Sequence, residues 1–328
     1  MPAFSARHAI RHGSFAIVAS ASLGFGSAAR ADEGALDPIF RLEHHVPVGV
    51  GRSLHVTETF TVRSFLRPGP ARAIVMLPGP VTPGSFFNID VAGYDGGAIM
   101  ARRGFFAYAV DFEGTGTSTY PAEGTAVTLA SQVDALDGVV RFVQLLHGVP
   151  QVDLLGESWG GGVAAEVCSA KHSTRSCILA SMIYETPSLL AQEEFQSPAW
   201  GAFLQAQPNG YLETGASTYA PLVVNSSPAV QAWANATLPG SYTVEPLLEF
   251  FNLPFFDPGE ARVPGLIIQG ELDPQSIPSD IQALGAAYGQ KGAVGVVTIA
   301  GGGHIPRIEP APHNTEFWTA VTDFVDGP

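Results

Sequence analysis

Two rhythms of apolar and polar positions divide this chain. Between Phe40 and Val62 the pattern alternates, first in Phe40-Arg41-Leu42 and then from Leu54 to Val62, with many β-branched residues and a turn at Gly49 to Arg52. A period of two around a glycine turn predicts an antiparallel hairpin. Six unbroken apolar runs follow: Ala73–Leu77, Phe105–Val110, Val152–Leu155, Cys177–Ala180, Gly265–Ile268 and Val294–Ile299. Short runs of this kind, bounded by glycine turns, predict strands buried on both faces of a mostly parallel sheet. Val133, Leu136, Val140, Val143 and Leu146 recur at three- and four-residue spacing and predict one helix face. Strand alternating with helix predicts an α/β fold.

From about Pro187 to Arg262 the rhythm breaks. Pro and Gly are frequent there, and the aromatics are Trp200, Phe203, Tyr211, Tyr219, Trp233, Tyr242, Phe250, Phe251, Phe255 and Phe256. The strand pattern resumes at Gly265, so residues 187–262 are expected to form an inserted cap on a core made of residues 32–186 and 263–328. With 46% of its 328 residues apolar, the chain has ample material for one large core.

Residues 1–31 have the composition of a signal peptide. Arg7 and Arg11 precede an uncharged stretch from Ser14 to Gly26, and Ala29-Arg30-Ala31 offers small residues at a cleavage site. The expected destination is the periplasm or the medium. No later run reaches the ~18 apolar residues of a membrane span. Losing Arg7, Arg11 and Arg30 takes the formal charge from −14 to −17. Such a chain lacks the basic footprint that nucleic acid requires, and an anionic membrane surface repels it. Two cysteines, Cys168 and Cys177, are too few for a structural zinc site and are expected to pair in an oxidising compartment. No metal and no obligate protein partner is implied.

The chemistry centres on Gly156-Glu157-Ser158-Trp159-Gly160. In a glycine-rich chain a G-x-S-x-G match is weak by itself, but here an apolar strand precedes it and a helix-compatible run from Val163 to Val167 follows. That is the context of a nucleophile elbow, in which serine sits at a strained turn and a helix N-terminus points at the site. A serine hydroxyl needs a base. His304 follows the last strand in a glycine-rich turn, with His313 in reserve. The acid that orients the base is expected between them in chain order, and Asp273, just past the Gly265–Ile268 strand, fits best. Glu271 and Glu185 are its competitors.

These marks resemble the α/β-hydrolase family over nearly all of the chain that would follow the signal segment. Asp111-Phe112-Glu113-Gly114-Thr115-Gly116-Thr117-Ser118 is similar to the family's D-x-x-G-x-G-x-S turn, and the order Ser, Asp, His is also the family's. The resemblance implies a mostly parallel sheet flanked by helices, an inserted cap, and a triad of Ser158, Asp273 and His304. It implies an oxyanion hole built from two backbone N–H groups. Trp159 supplies the first. The family's His-Gly is replaced by Pro78-Gly79, and the next residue, Pro80, has no N–H to give. Val81 is the expected second donor, with Gly79 behind it.

The function implied is hydrolysis, without a cofactor, of an uncharged and largely apolar small-molecule ester through an acyl-enzyme. An aminopeptidase resembling proline iminopeptidases is the alternative, with Glu193 and Glu194 available to hold a free amine. A non-catalytic binding protein on the same fold is the third possibility.

Overall fold

The computed structural model describes residues 37–170, 173–185, 187–214, 223, 225–288 and 293–327. The expected signal segment, residues 1–31, lies outside the described residues, as does Tyr219.

The chain opens with a hairpin of β1 (Phe40–Gly49) and β2 (Arg52–Phe60), paired from Phe40↔Phe60 to Gly49↔Arg52. The alternation had predicted a strand through Val62, but β2 stops at Phe60. Thr61 accepts a hydrogen bond from the Arg63 amide, the Ser64 hydroxyl accepts one from the Thr61 amide, and this capping box starts α1 (Val62–Leu66). There follow β3 (Arg72–Leu77), α2 (Gly96–Arg102), β4 (Phe105–Val110), α3 (Leu129–His147), β5 (Val152–Glu157), α4 (Trp159–Ala170) and β6 (Thr174–Ala180).

Helix α3 has clear ends. Thr128 caps its N-terminus by accepting from the Ser131 amide, and Gly148 closes it with φ of 64°. Leu136, Val140 and Val143 are buried as predicted, but Leu146 is 46% exposed, because in the last turn it is His147 that faces inward, stacked on Phe106.

Between β6 and the next sheet strand lie α5 (Leu189–Phe195), α6 (Pro198–Gln205), β7 (Tyr211–Thr214), α7 (Pro228–Thr237), β8 (Gly240–Thr243) and α8 (Glu245–Leu248), with β7 and β8 forming a separate antiparallel pair. The main sheet then resumes with β9 (Gly265–Gly270), α9 (Pro278–Tyr288), β10 (Val294–Ile299) and α10 (His313–Asp326).

The eight-stranded sheet has the order β1-β2-β4-β3-β5-β6-β9-β10. Only the pairs β1/β2 and β2/β4 are antiparallel. The apolar runs are continuous because both faces are covered. On β3, Ala73, Val75 and Leu77 join one core cluster with α3, α4 and α9, while Ile74 and Met76 join another with α2 and α10. On β4, Phe106, Tyr108 and Val110 face the first cluster, and Phe105, Ala107 and Ala109 the second. Each Val, Leu, Ile, Met or Phe among them gains roughly 1.5–3 kcal/mol on full burial. Cys168 near the end of α4 and Cys177 within β6 form a disulfide. The strand begins at Thr174 rather than at Cys177, so the bridge ties the middle of β6 to its neighbouring helix.

Candidate active site

Ser158 stands between β5 and α4 with φ of 54°, a left-handed conformation that non-glycine residues rarely adopt. Its amide donates to Ala180 O at 2.9 Å and its carbonyl accepts from the Gly161 amide at 2.8 Å, so both flanks of the bend are fixed. The glycines on either side are steric requirements. A Cβ on Gly156 would lie 2.2 Å from Gly160 O, and one on Gly160 would lie 2.3 Å from Pro78 O. Backbone meets backbone here, so no side-chain adjustment could relieve the clash.

The same contacts bring the segment after β3 against the elbow. On the open side of Gly79 the nearest atoms are Ser158 Cβ and Thr82 Oγ1. Thr82 is buried and donates to Gly79 O at 3.1 Å. Further on, the Gly84 amide donates to Asp111 Oδ1 at 2.6 Å. Asp111 Oδ2 accepts from the Thr117 amide at 2.9 Å and pairs with His55 Nδ1 at 2.8 Å. The D-x-x-G-x-G-x-S stretch thus anchors the segment that borders the serine. The other ring nitrogen of His55 pairs with Glu43 at 2.6 Å. Burial alone would lower the His55 pKa, but two carboxylates outweigh it and raise it to about 9.

Past β9 and β10, Asp273 and His304 meet. His304 Nδ1 lies 2.8 Å from Asp273 Oδ2, and both side chains are almost wholly buried. An ionised carboxylate can only accept, so Nδ1 carries the proton, and a neutral ring keeps its lone pair on Nε2. Asp273 is itself held: Oδ1 accepts from the Gln275 amide at 2.7 Å, and Oδ2 accepts from the Gln269 side chain. Burial pulls the His304 pKa down, yet the charge and hydrogen bond of Asp273, with the charge of Glu157, hold it above its ordinary value.

The competing residues go elsewhere. Glu271 is exposed and accepts from the Gly301 amide at 2.8 Å. Glu185 is exposed, and its amide donates to Asp280 at 2.9 Å. His313 Nδ1 pairs with Glu309 at 2.6 Å, and Glu309 also accepts from the Gly303 amide at 3.0 Å, so this pair supports the His304 turn from behind. Glu193 is exposed on α5, and the Glu194 side chain lies outside the described residues. The Val81 side chain is buried in a cluster with Phe86, Leu204, Tyr242 and Ile305.

Three residues with a part in the site escaped the sequence reading. Glu157, the variable residue before the serine, is buried and receives Arg307 in a two-pronged contact, Nε to Oε2 at 2.6 Å and Nη2 to Oε1 at 2.9 Å. Arg307 also donates to Phe86 O at 2.6 Å, so it joins the end of β5, the segment after β3 and the segment after His304. The Trp159 indole donates to Glu249 at 2.8 Å, and Glu249 accepts from the Leu129 amide at 2.6 Å. Nothing in the sequence near Arg307 or Glu249 signals these partners. Among the described residues no cluster of ligating side chains could hold a metal, and no helix is long and apolar enough to cross a membrane.

The aromatic residues of the insert are mostly spent on packing. Phe250, Phe255 and Phe256 enter the main core cluster, and Tyr242 enters the one around Val81, with Trp200 and Trp233 against it. These six use the core's own apolar surface, while Phe203 and Phe251 remain exposed.

Comparison with known proteins fits this architecture. A profile described as "Alpha/beta hydrolase family" matches residues 74–315. No curated protein has a matching sequence. Among solved structures, the chain is similar to a thermophilic esterase from Thermogutta terrifontis, with a TM-score of 0.63 and 16% identity over 88% of this chain and 98% of that one. An esterase from Exiguobacterium antarcticum gives a TM-score of 0.61 and 16% identity, covering 84% of this chain and 96% of the other. The carboxylesterase CesB from Bacillus subtilis gives 0.61 and 17%, covering 90% and 95%.

Proposed function

This chain belongs to the alpha/beta hydrolase family, and from that premise we propose that it is a serine esterase with Ser158 as nucleophile, His304 as base and Asp273 as the acid that orients it. The observation that carries this reading is the buried hydrogen bond from His304 Nδ1 to Asp273, in a chain whose Ser158 occupies a left-handed bend at a helix N-terminus. In the proposed reaction Ser158 Oγ attacks the ester carbonyl carbon and its proton passes to His304 Nε2. Collapse of the tetrahedral intermediate breaks the ester C–O bond, and the alcohol leaves with that proton. Water, deprotonated by the same nitrogen, then releases the acid and restores the serine. Asp273 fixes the ring and stabilises its cationic form. The amide of Trp159 is one oxyanion donor, and we assign the second to the amide of Val81, since Pro80 has none.

Residues 187–262 serve as the cap in this reading, and the preferred substrate is an uncharged, largely apolar ester. Support comes from the apolar cluster that joins Val81 and Ile305, which flank the oxyanion segment and the base, to Leu204, Val230, Val244 and Leu247 of the insert. The Cys168–Cys177 bridge supports a secreted or periplasmic location.

The test is covalent. A fluorophosphonate probe is expected to label the wild type and to miss Ser158→Ala, with turnover of a nitrophenyl ester lower by ~10⁴-fold or more in Ser158→Ala and His304→Ala. Labelling or turnover that survives Ser158→Ala overturns the assignment. Efficient cleavage of prolyl or alanyl anilides with a flat ester series would instead favour the aminopeptidase.

A further inference from the structure

Ser158 and His304 lie at the C-terminal ends of the parallel strands. At the opposite edge, where β3, β5 and β6 begin, a cavity of about 280 Å³ is lined by Arg67, Arg72 and Arg175 together with Asp153, Pro68 and Pro150. In a chain of formal charge −14 this is a local concentration of cations. The neighbouring Arg103 reaches Asp326 at 3.3 Å, so four guanidinium groups gather around two carboxylates, Asp153 and Asp326.

Part of this arrangement is structural. Arg175 donates to Asp153 Oδ2 from Nε at 3.2 Å and from Nη2 at 2.7 Å, and to Val325 O near the end of α10 at 2.9 Å. Arg72 donates to Val325 O from Nη2 and to Asp326 at 3.3 Å from Nη1. Cations at a helix C-terminus satisfy its last carbonyls. This leaves two donors unexplained. Among the described residues, Arg72 Nε and Arg67 Nη1 are buried without a hydrogen-bond partner. Arg72 sits over the Phe105 ring at 4.2 Å, and Arg67 comes no nearer to Asp326 than 3.7 Å. Buried donors in native proteins are nearly always hydrogen-bonded, so an unsatisfied one calls for an explanation, of which a bound ion is one. The crowding is felt: burial, then the charges of Arg175 and Arg67, lower the Arg72 pKa to about 10 against the pull of Asp153 and Asp326.

We propose that this cavity binds a phosphate-class oxyanion, held by Arg67, Arg72 and Arg175. The three guanidinium groups come from three separate elements, the segment after α1 and the starts of β3 and β6. Donors arriving from different directions suit a tetrahedral anion with oxygens on every side better than a flat carboxylate. Its excess charge would balance the excess of cations, and the volume admits inorganic phosphate or the phosphate group of a small ester or lipid headgroup.

The test titrates the whole protein with inorganic phosphate by calorimetry and thermal shift, at constant ionic strength set with sodium chloride. The wild type is expected to show saturable binding and a saturable rise in melting temperature. Arg67→Gln and Arg72→Gln are each expected to weaken binding by about tenfold or more, the loss of one charge-assisted contact. Arg63→Gln, outside the cavity, is expected to bind as the wild type does. If Arg72→Gln fails to fold, Arg67→Gln decides alone, because Arg67 holds no short contact that the fold needs. No saturable binding beyond the chloride control overturns the proposal, as does unchanged affinity in Arg67→Gln. Sedimentation with phosphatidylglycerol vesicles, competed by free phosphate, assigns the headgroup as source. Binding of free phosphate without sedimentation assigns the soluble anion.

Discussion

Two arginines at opposite edges of one sheet are buried in opposite ways. Arg307, 1% exposed, donates from Nε and Nη2 to Glu157 and from Nη1 to Phe86 O, and its guanidinium lies over the rings of Phe86 at 4.4 Å and Phe87 at 4.1 Å. Arg72 lies over Phe105 in much the same manner, but among the described residues its Nε has no partner and the cations around it outnumber the carboxylates. Charge and ring stacking are shared, although the Arg72 side chain keeps 14% of its surface exposed. What differs is satisfaction of the donors. A guanidinium whose hydrogen bonds all go to one carboxylate and one carbonyl is a strut, and this one braces the end of β5 against the segment that follows His304. A guanidinium with donors left over marks a place where something else can bind.

The largest effect expected from this contrast is on stability at Arg307. Arg307→Met should cost ~3–5 kcal/mol, because it strands the Glu157 carboxylate in the core, and adding Glu157→Leu should recover much of the loss. Denaturant melts of the two variants check this, and a near-neutral Arg307→Met would erase the distinction drawn above. The same pair should tune the base. His304 faces Asp273 directly, Glu157 and Arg307 from the elbow side, and the Glu309 and Glu271 carboxylates that hold its turn. Loss of the Arg307 charge should move the acidic limb of kcat/KM to higher pH, and Glu157→Gln should move it lower. Shifts in the same direction would mean that only the geometry of the pair matters.

Two further clusters differ from both arginines in that their central groups, Glu58 and His55, titrate. Glu58 pairs with His147 and His44, each at 2.7 Å. Burial would raise its pKa, but the two histidine contacts lower it to about 2. Its folded value lies below the unfolded one, so its stabilisation is full above about pH 4.5 and lost as pH falls towards about 2. His55 has the opposite sign, with a folded pKa raised to about 9. Its stabilisation is present below about pH 6.5 and lost as pH rises through about 9. Melting temperature against pH should therefore fall in both windows. Glu58→Gln should flatten only the acidic arm and His55→Gln only the alkaline one. The smallest effects come where a single neutral hydrogen bond is at stake. Thr128→Ala should cost ~1 kcal/mol by uncapping α3, measurable by chemical denaturation, and Arg67→Gln should change stability by less than that.

The sheet was legible because its requirements are local. Runs of four to six apolar residues bounded by glycine can be buried on two faces, and the alternate residues of β3 and β4 do face two different clusters. Where the reading erred, another local rule or a packing limit prevailed. Thr61 and Ser64 stopped β2 short of Val62, and in the last turn of α3 His147 rather than Leu146 took the inward position. The insert was recognisable as a break in rhythm, but the destination of its aromatic rings was not, because that depends on which apolar surface lies opposite each of them.

The elbow can be read from the chain because its steric demands lie between neighbours: Gly156 and Gly160 admit no Cβ beside Ser158, and a residue at such a bend is recognisable from its flanks. The sequence also placed Asp273 and His304 just past strands, where they could meet. What surrounds them is set by the packing of distant segments. Glu157 and Arg307 stand 150 residues apart and Trp159 and Glu249 stand 90 apart, and no spacing rule connects such positions. Whether a buried charge is satisfied depends on the set of groups that the fold brings around it from distant segments. That is why Arg307 and Arg72, indistinguishable as residues in the chain, end as a brace and as a proposed anion site.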